Sequence, residues 1–280
     1  MKIGSDEHKR RFCGQFIASH NRYDPQTLAW PDLDEAALAR LRAIPFWPQV
    51  LHTERRAGAI VDAYAATIAD PMVREAVTLQ GSEEARHADL LRLMIHRYGI
   101  AAHEGPLEPP GPDLYRAFAD FGYGECLDAF LGFGVFQIAR RSGFLPEPMF
   151  AIFDTLMHEE NRHIVFFINW MAWEQARRGR APKWLRSAIA GRYYCRAIAR
   201  LLGTVRGGRT IHDGKDFSAT EASVFLDGFS LRGLVEECCA EHARRMKAFD
   251  PELLRPRLLP RLGAIALAGM RLGARARGLR

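Results

Sequence analysis

Cysteine is scarce in this chain. Cys13, Cys126, Cys195, Cys238 and Cys239 are the only five in 280 residues, an odd number with no C-x-x-C pair. Zinc ribbons, rubredoxin-type centres, dithiol redox motifs and a disulfide scaffold are thereby excluded. Long apolar runs are missing too: no stretch reaches the roughly 18–20 uninterrupted residues of a membrane-spanning helix. The charged start from Met1 to Arg10 lacks the apolar core of a signal peptide, which predicts a cytoplasmic protein. Strand-like alternation of β-branched residues is nearly absent, as are Gly-rich nucleotide loops and iron–sulfur cysteine sets. What is present is ordinary for a globular protein, 48% hydrophobic and 26% charged, and argues against disorder. The length suits one elaborated domain or two small ones.

Acidic residues are missing from one region. Between Leu253 and Arg280 there are seven arginines (Arg255, Arg257, Arg261, Arg271, Arg275, Arg277 and Arg280) and no acid, and they account for the net charge of +6. Such a tail reads either as a solvated terminal segment or as a contact for RNA, an anionic lipid surface or an acidic partner. Its apolar piece, Leu262–Met270, is too short to span a bilayer but suits an amphipathic helix lying on a surface.

Helical patterns dominate the remainder, and all-α is the fold class expected. An N-terminal arm, residues 1–45, contains a short helical stretch around Asp34–Arg42. Long helices follow over Phe46–Ala69, Pro71–Tyr98, Asp113–Arg141 and Pro146–Arg178, with the Pro-rich Ala101–Pro112 joining the two pairs. Two more, Trp184–Leu202 and Ser218–Lys247, make up an appended region, residues 180–250. The second opens with the capping-box signature Ser218-Ala219-Thr220-Glu221. Residues 251–280 form the Arg-rich tail. Two helix pairs with one long crossover over residues 46–179 describe a four-helix bundle.

One short sequence recurs. Glu83-Glu84-Ala85-Arg86-His87 on the second long helix echoes Glu159-Glu160-Asn161-Arg162-His163 on the fourth. Each copy contains Glu-x-x-His, whose spacing puts carboxylate and imidazole on one helical face, able to bind a metal ion together. Each copy follows a helix carrying a lone candidate Glu, Glu54 and Glu125, and an antiparallel pairing would bring their levels together. All four glutamates stand in apolar stripes: Val50, Leu51 and Val61 beside Glu54, Phe121 and Ala129 beside Glu125. Carboxylates converging in such surroundings repel and resist burial unless cations offset them, and two divalent metals would do so.

Glu from two helices plus Glu-x-x-His from two others resembles the ligand pattern of the ferritin-like non-haem di-iron carboxylate superfamily. The resemblance covers Phe46–Gly179, about half the chain. It implies a ferritin-like bundle in which Glu54, Glu84 and His87 hold one metal and Glu125, Glu160 and His163 the other, with Glu84 and Glu160 bridging both. Two irons suit such ligands better than zinc or magnesium, and manganese or a mixed manganese–iron pair is the variant. O2 is then the co-substrate.

Four further residues stand near this pattern. Glu83 and Glu159 lie about 100° around the helix from the ligand face. They read either as acceptors for the other copy's His N–H or as partners of Arg86 and Arg162 at i, i+3. Asp128, one turn after Glu125, reads as an additional ligand, an outer partner or a surface acid. His242 reads as an additional histidine ligand or as a polar residue on an appended helix. Arylamine N-oxygenases of the superfamily place an extra histidine four residues before the last Glu, where this chain has Leu156.

The expectation for function is an O2-dependent di-iron oxidase or monooxygenase acting on a small, largely apolar molecule. Phe130, Phe133, Phe136, Phe166 and Phe167 bracket the ligand levels. The electrons would come from an external donor such as a ferredoxin or reductase, and a homodimer is one assembly open to the chain. Two alternatives stand beside it: a ferroxidase or peroxide-scavenging ferritin-like protein, and a hydroxylase of tRNA or a membrane substrate that uses the basic tail.

Overall fold

The computed structural model describes residues 1–179, 182–207 and 230–278. Among them are nine α-helices and no strand: α1 (Asp6–Ala18), α2 (Glu35–Arg42), α3 (Trp47–Ala65), α4 (Pro71–Arg97), α5 (Leu114–Arg141), α6 (Glu147–Arg177), α7 (Lys183–Gly207), α8 (Leu231–Arg245) and α9 (Leu258–Gly278). The all-α class is what the sequence predicts. None of the described helices is long and apolar enough to cross a membrane.

Local chemistry sets the helix ends. The Asp70 carboxylate accepts from the Met72 and Val73 amides at the start of α4, where Pro71 supplies a pre-set φ and lacks an amide of its own. Asp113 caps α5 in the same way through the Arg116 amide. Beyond α5, Gly143 stands at φ +65°, a left-handed conformation that a side chain would strain. The turn between α5 and α6 is short in consequence.

Helices α3, α4, α6 and α5 pack pairwise in a closed circuit, α3 on α4, α4 on α6, α6 on α5 and α5 on α3. Short connections make the α3–α4 and α5–α6 neighbours antiparallel. A Cβ on Gly122 would lie 2.2 Å from the Phe167 ring. Only glycine lets α5 approach α6 this closely, one turn before Glu125.

The apolar core has two parts. One gathers Ile60 and Val61, Val73 to Val77, and Ile164 to Trp173; the other gathers Leu51, Ala88 to Met94, and Met149 to Phe150. On α3, α4 and α6 the gap between them falls at Glu54, Glu84–His87 and Glu160–His163. Phe130, Phe133, Phe166 and Phe167 belong to the first part and Phe136 to the second.

Three features differ from the sequence expectation. The N-terminal arm holds a full helix, α1, with Phe12, Cys13 and Phe16 buried against α6 and α4. The helix expected over Ser218–Lys247 is described only from Leu231. The Ser230 hydroxyl accepts from the Gly233 amide and caps the described helix there, while the capping box at Ser218–Glu221 lies outside the described residues. The Arg-rich end continues as α9, packed on α8 and α5. Its first arginine, Arg255, donates to the carbonyls of Met246, Phe249 and Leu253, so it clamps a turn instead of offering charge to a partner.

Candidate metal centre

Helix periodicity brings Glu54 from α3, Glu84 and His87 from α4, Glu125 from α5, and Glu160 and His163 from α6 into one buried cluster. Two overlapping groups have donor atoms mutually within 4.8 Å: Glu54, Glu84, His87 and Glu160, and Glu84, Glu125 and His163. Glu84 belongs to both. Around His87, Nδ1 stands 3.1 Å from Glu160, 3.4 Å from Glu54 and 3.7 Å from Glu84. Around His163, Nδ1 stands 3.1 Å from Glu84, 3.8 Å from Glu160 and 4.0 Å from Glu125.

Outer hydrogen bonds set the state of both imidazoles. His87 Nε2 donates to Glu159 at 2.9 Å, and His163 Nε2 donates to Glu83 at 2.8 Å. Each carboxylate of one echo thus holds the histidine of the other. The arginines cross over in the same sense, Arg162 donating to Glu83 at 2.8 Å and Arg86 to Glu159, so neither pairs within its own helix. With both Nε2 atoms committed, both Nδ1 atoms face inward.

Inside the cluster the close atoms are not aligned for hydrogen bonding. His87 Nδ1, His163 Nδ1, Glu84 Oε2, Glu125 Oε2 and Glu160 Oε1 are all buried without a hydrogen-bond partner. Unpaired buried polar atoms are costly, and each needs an account. Five of them converge from three helices, α4, α5 and α6, and with Glu54 from α3 they form groups that could hold a metal ion. Gln80, one turn before Glu84 on the same buried face, donates to Glu84 Oε1 at 3.2 Å.

Proton affinities point the same way. Burial pushes the Glu54 carboxyl up to about 7. Burial, reinforced by the charges of Glu160 and Glu84, holds Glu125 well above the usual carboxylate range. Burial would raise Glu160 as well, but His163 and His87 outweigh it and hold that carboxyl well below its ordinary value. Both imidazoles are raised well above theirs, because the surrounding carboxylates outweigh the desolvation that opposes the charge. The cluster demands positive charge, and protons or metal ions can supply it.

An N-terminal layer closes one side, and nothing in the sequence spacing marks it. His20, just beyond α1, contacts Glu83 through Nδ1 at 2.5 Å. Ser19 Oγ and the Phe16 carbonyl accept from Arg162 at 2.9 and 2.8 Å. Tyr23 reaches Glu159 at 3.4 Å and stacks beneath Arg86. Gln80 could have been found by counting one turn back from Glu84. His20 and Tyr23 are single polar residues in an irregular segment and carry no such signal.

Two sequence candidates lie outside both donor groups. Asp128 is exposed on α5. His242 is buried on α8, edge-on to Phe130 at 5.8 Å, and burial lowers its imidazole to about 4. No protein-family model, curated protein or solved structure matches the chain.

Proposed function

We propose that the chain is a non-haem di-metal oxidase or oxygenase of the ferritin-like pattern, with α3 to α6 as its bundle and the 98–113 segment as its long crossover. One observation carries this reading: two inward imidazole nitrogens and three carboxylate oxygens, all buried and unpartnered, converge in two groups that share Glu84. Mixed carboxylate and imidazole donors fit two irons, or manganese in their place. When bound, such a pair activates O2 and supplies the oxidising power.

The chain's own residues prepare the site. Glu83 and Glu159 hold the Nε2–H of His163 and His87, so that each Nδ1 presents a lone pair inward once a metal displaces its proton. Glu84 and Glu160 offer both oxygens between the two groups. The six residues are not equally covered. The side chains of Glu84, His87 and His163 are at most 1% exposed, whereas Glu54, Glu125 and Glu160 keep 11–13%. A reacting molecule approaches from the second set, because α1 and Arg162 seal the other side. Val50, Phe121 and Met157, each half-buried and one turn from Glu54, Glu125 and Glu160, favour a small apolar substrate over a charged one. Electrons come from an external protein donor, since the sequence carries no flavin, nicotinamide or iron–sulfur motif.

Single-turnover oxidation tests this function. Ferrous-loaded protein mixed with O2 and a panel of small apolar molecules is expected to consume O2 in step with the bound iron and to convert at least one probe. Continued uptake of iron into a ferric mineral would favour the ferroxidase alternative. No O2 consumption would overturn the oxidase reading.

A further inference from the structure

Helix α9 has two apolar faces, and only one of them is used by the fold. Leu259, Gly263 and Leu267 are buried toward α8 and α5. Leu258, Leu262, Ile265 and Leu272 point away and are 37%, 45%, 67% and 66% exposed. At 100° per residue these four fall within about 80° of arc, a continuous stripe along the helix. Exposed aliphatic residues scattered singly mean little, but a stripe of this regularity marks a contact surface.

The charge beside the stripe is of one sign. Arg257, Arg261 and Arg271 are exposed along one flank, and Arg275, Arg277 and Arg280 follow in sequence with no acid anywhere after Glu252. Of the described Arg257, Arg261 and Arg271, Arg271 alone has an acidic neighbour, Glu236 at 3.8 Å. We infer that α9 docks the protein on an anionic phospholipid bilayer, its Leu258–Leu272 stripe sunk among the acyl chains and its arginines at the headgroups.

Alternative occupants fit less well. Nucleic acid would satisfy the arginines but would leave four aliphatic side chains in water, where bases need aromatic or planar cationic faces to stack upon. A second copy of the chain would cover the stripe but bring like charges together along its flank. A bilayer interface answers both features at once, with apolar burial on one side and lipid phosphates on the other. Because α9, though 21 residues long, is not apolar enough to span, it lies in the plane of the surface. The inference does not depend on the metal reading, since metal-free protein would dock equally.

Vesicle flotation of the full chain tests it. Phosphatidylcholine vesicles containing phosphatidylglycerol are expected to carry the protein upward, and pure phosphatidylcholine far less. Ile265→Glu is expected to weaken binding about tenfold or more, and Arg257→Glu with Arg261→Glu to reduce it to the level on neutral vesicles. All three positions face solvent, so helical circular dichroism and thermal unfolding should match the parent chain. Failure to bind anionic vesicles, or equal binding by Ile265→Glu, would overturn the inference. So would a dimer that Ile265→Glu disperses, which would assign the stripe to a second copy, or binding to an acidic protein without binding to lipid.

Discussion

The two echoes of Glu-Glu-x-Arg-His make the same inner contacts and differ in what stands behind them. Glu83 is buried and held by His163, Arg162 and His20, and Arg162 is itself tied to Ser19 and the Phe16 carbonyl. Glu159 is held by His87 and Arg86, with only a long contact to Tyr23, and Arg86 keeps 12% exposure. A repeat in sequence therefore gives a repeat in the inner layer, while the N-terminal segment braces one half more firmly. The Glu83 carboxyl is accordingly lowered to about 2, His163 and Arg162 outweighing a burial that opposes it.

That asymmetry can be broken deliberately. Glu83→Ala leaves Arg162 buried and without its carboxylate, and should cost about 3–5 kcal/mol in urea unfolding of the metal-free protein. Glu159→Ala frees an arginine that can turn toward water, and should cost about 1–3 kcal/mol. Equal losses would show that the N-terminal brace contributes nothing.

Metal affinity should follow pH through Glu54. A metal needs this carboxylate deprotonated, and below about 7 the protonated form predominates. Proton and metal compete there, and Glu125, His87 and His163 must shed protons as well, so affinity should rise at least about tenfold from pH 6 to pH 8. Isothermal titration at several pH values checks this, and a flat profile would remove Glu54 from the site. The smallest expected change is Tyr23→Phe, which loses one long hydrogen bond. It should shift stability by at most about 0.5 kcal/mol while leaving metal content intact.

Much of this was legible in the sequence, for a physical reason. The four long helices carry strong apolar periodicity and hard punctuation at Asp70-Pro71, Gly99 and Gly143, so their bounds fall close to those expected. The six inward residues repeat at fixed helical spacing, and the repeat is itself the signal. Helix α1 was hidden because its buried Phe12, Cys13 and Phe16 directly follow the charged run Asp6–Arg11, which lowers any local measure of apolarity. Crosswise pairing of Arg86 and Arg162 was hidden because sequence offers each an acid of its own three residues away, and only packing of α4 on α6 brings the other acid nearer. His20 and Tyr23 act through tertiary placement alone. The terminal segment was only partly legible: its apolar piece suited an amphipathic helix, but with Pro256, Pro260 and seven arginines nothing marked Arg255, Leu259 and Leu267 as ties to the body.

The most direct test of the central claim is iron content per chain after anaerobic loading with ferrous iron and removal of the excess, for the parent chain and for Glu84→Ala. Because Glu84 stands in both donor groups, the parent should retain two irons and the variant neither, with helical circular dichroism preserved. A parent that retains one iron or none, or a Glu84→Ala protein that retains both, would contradict a shared two-metal site.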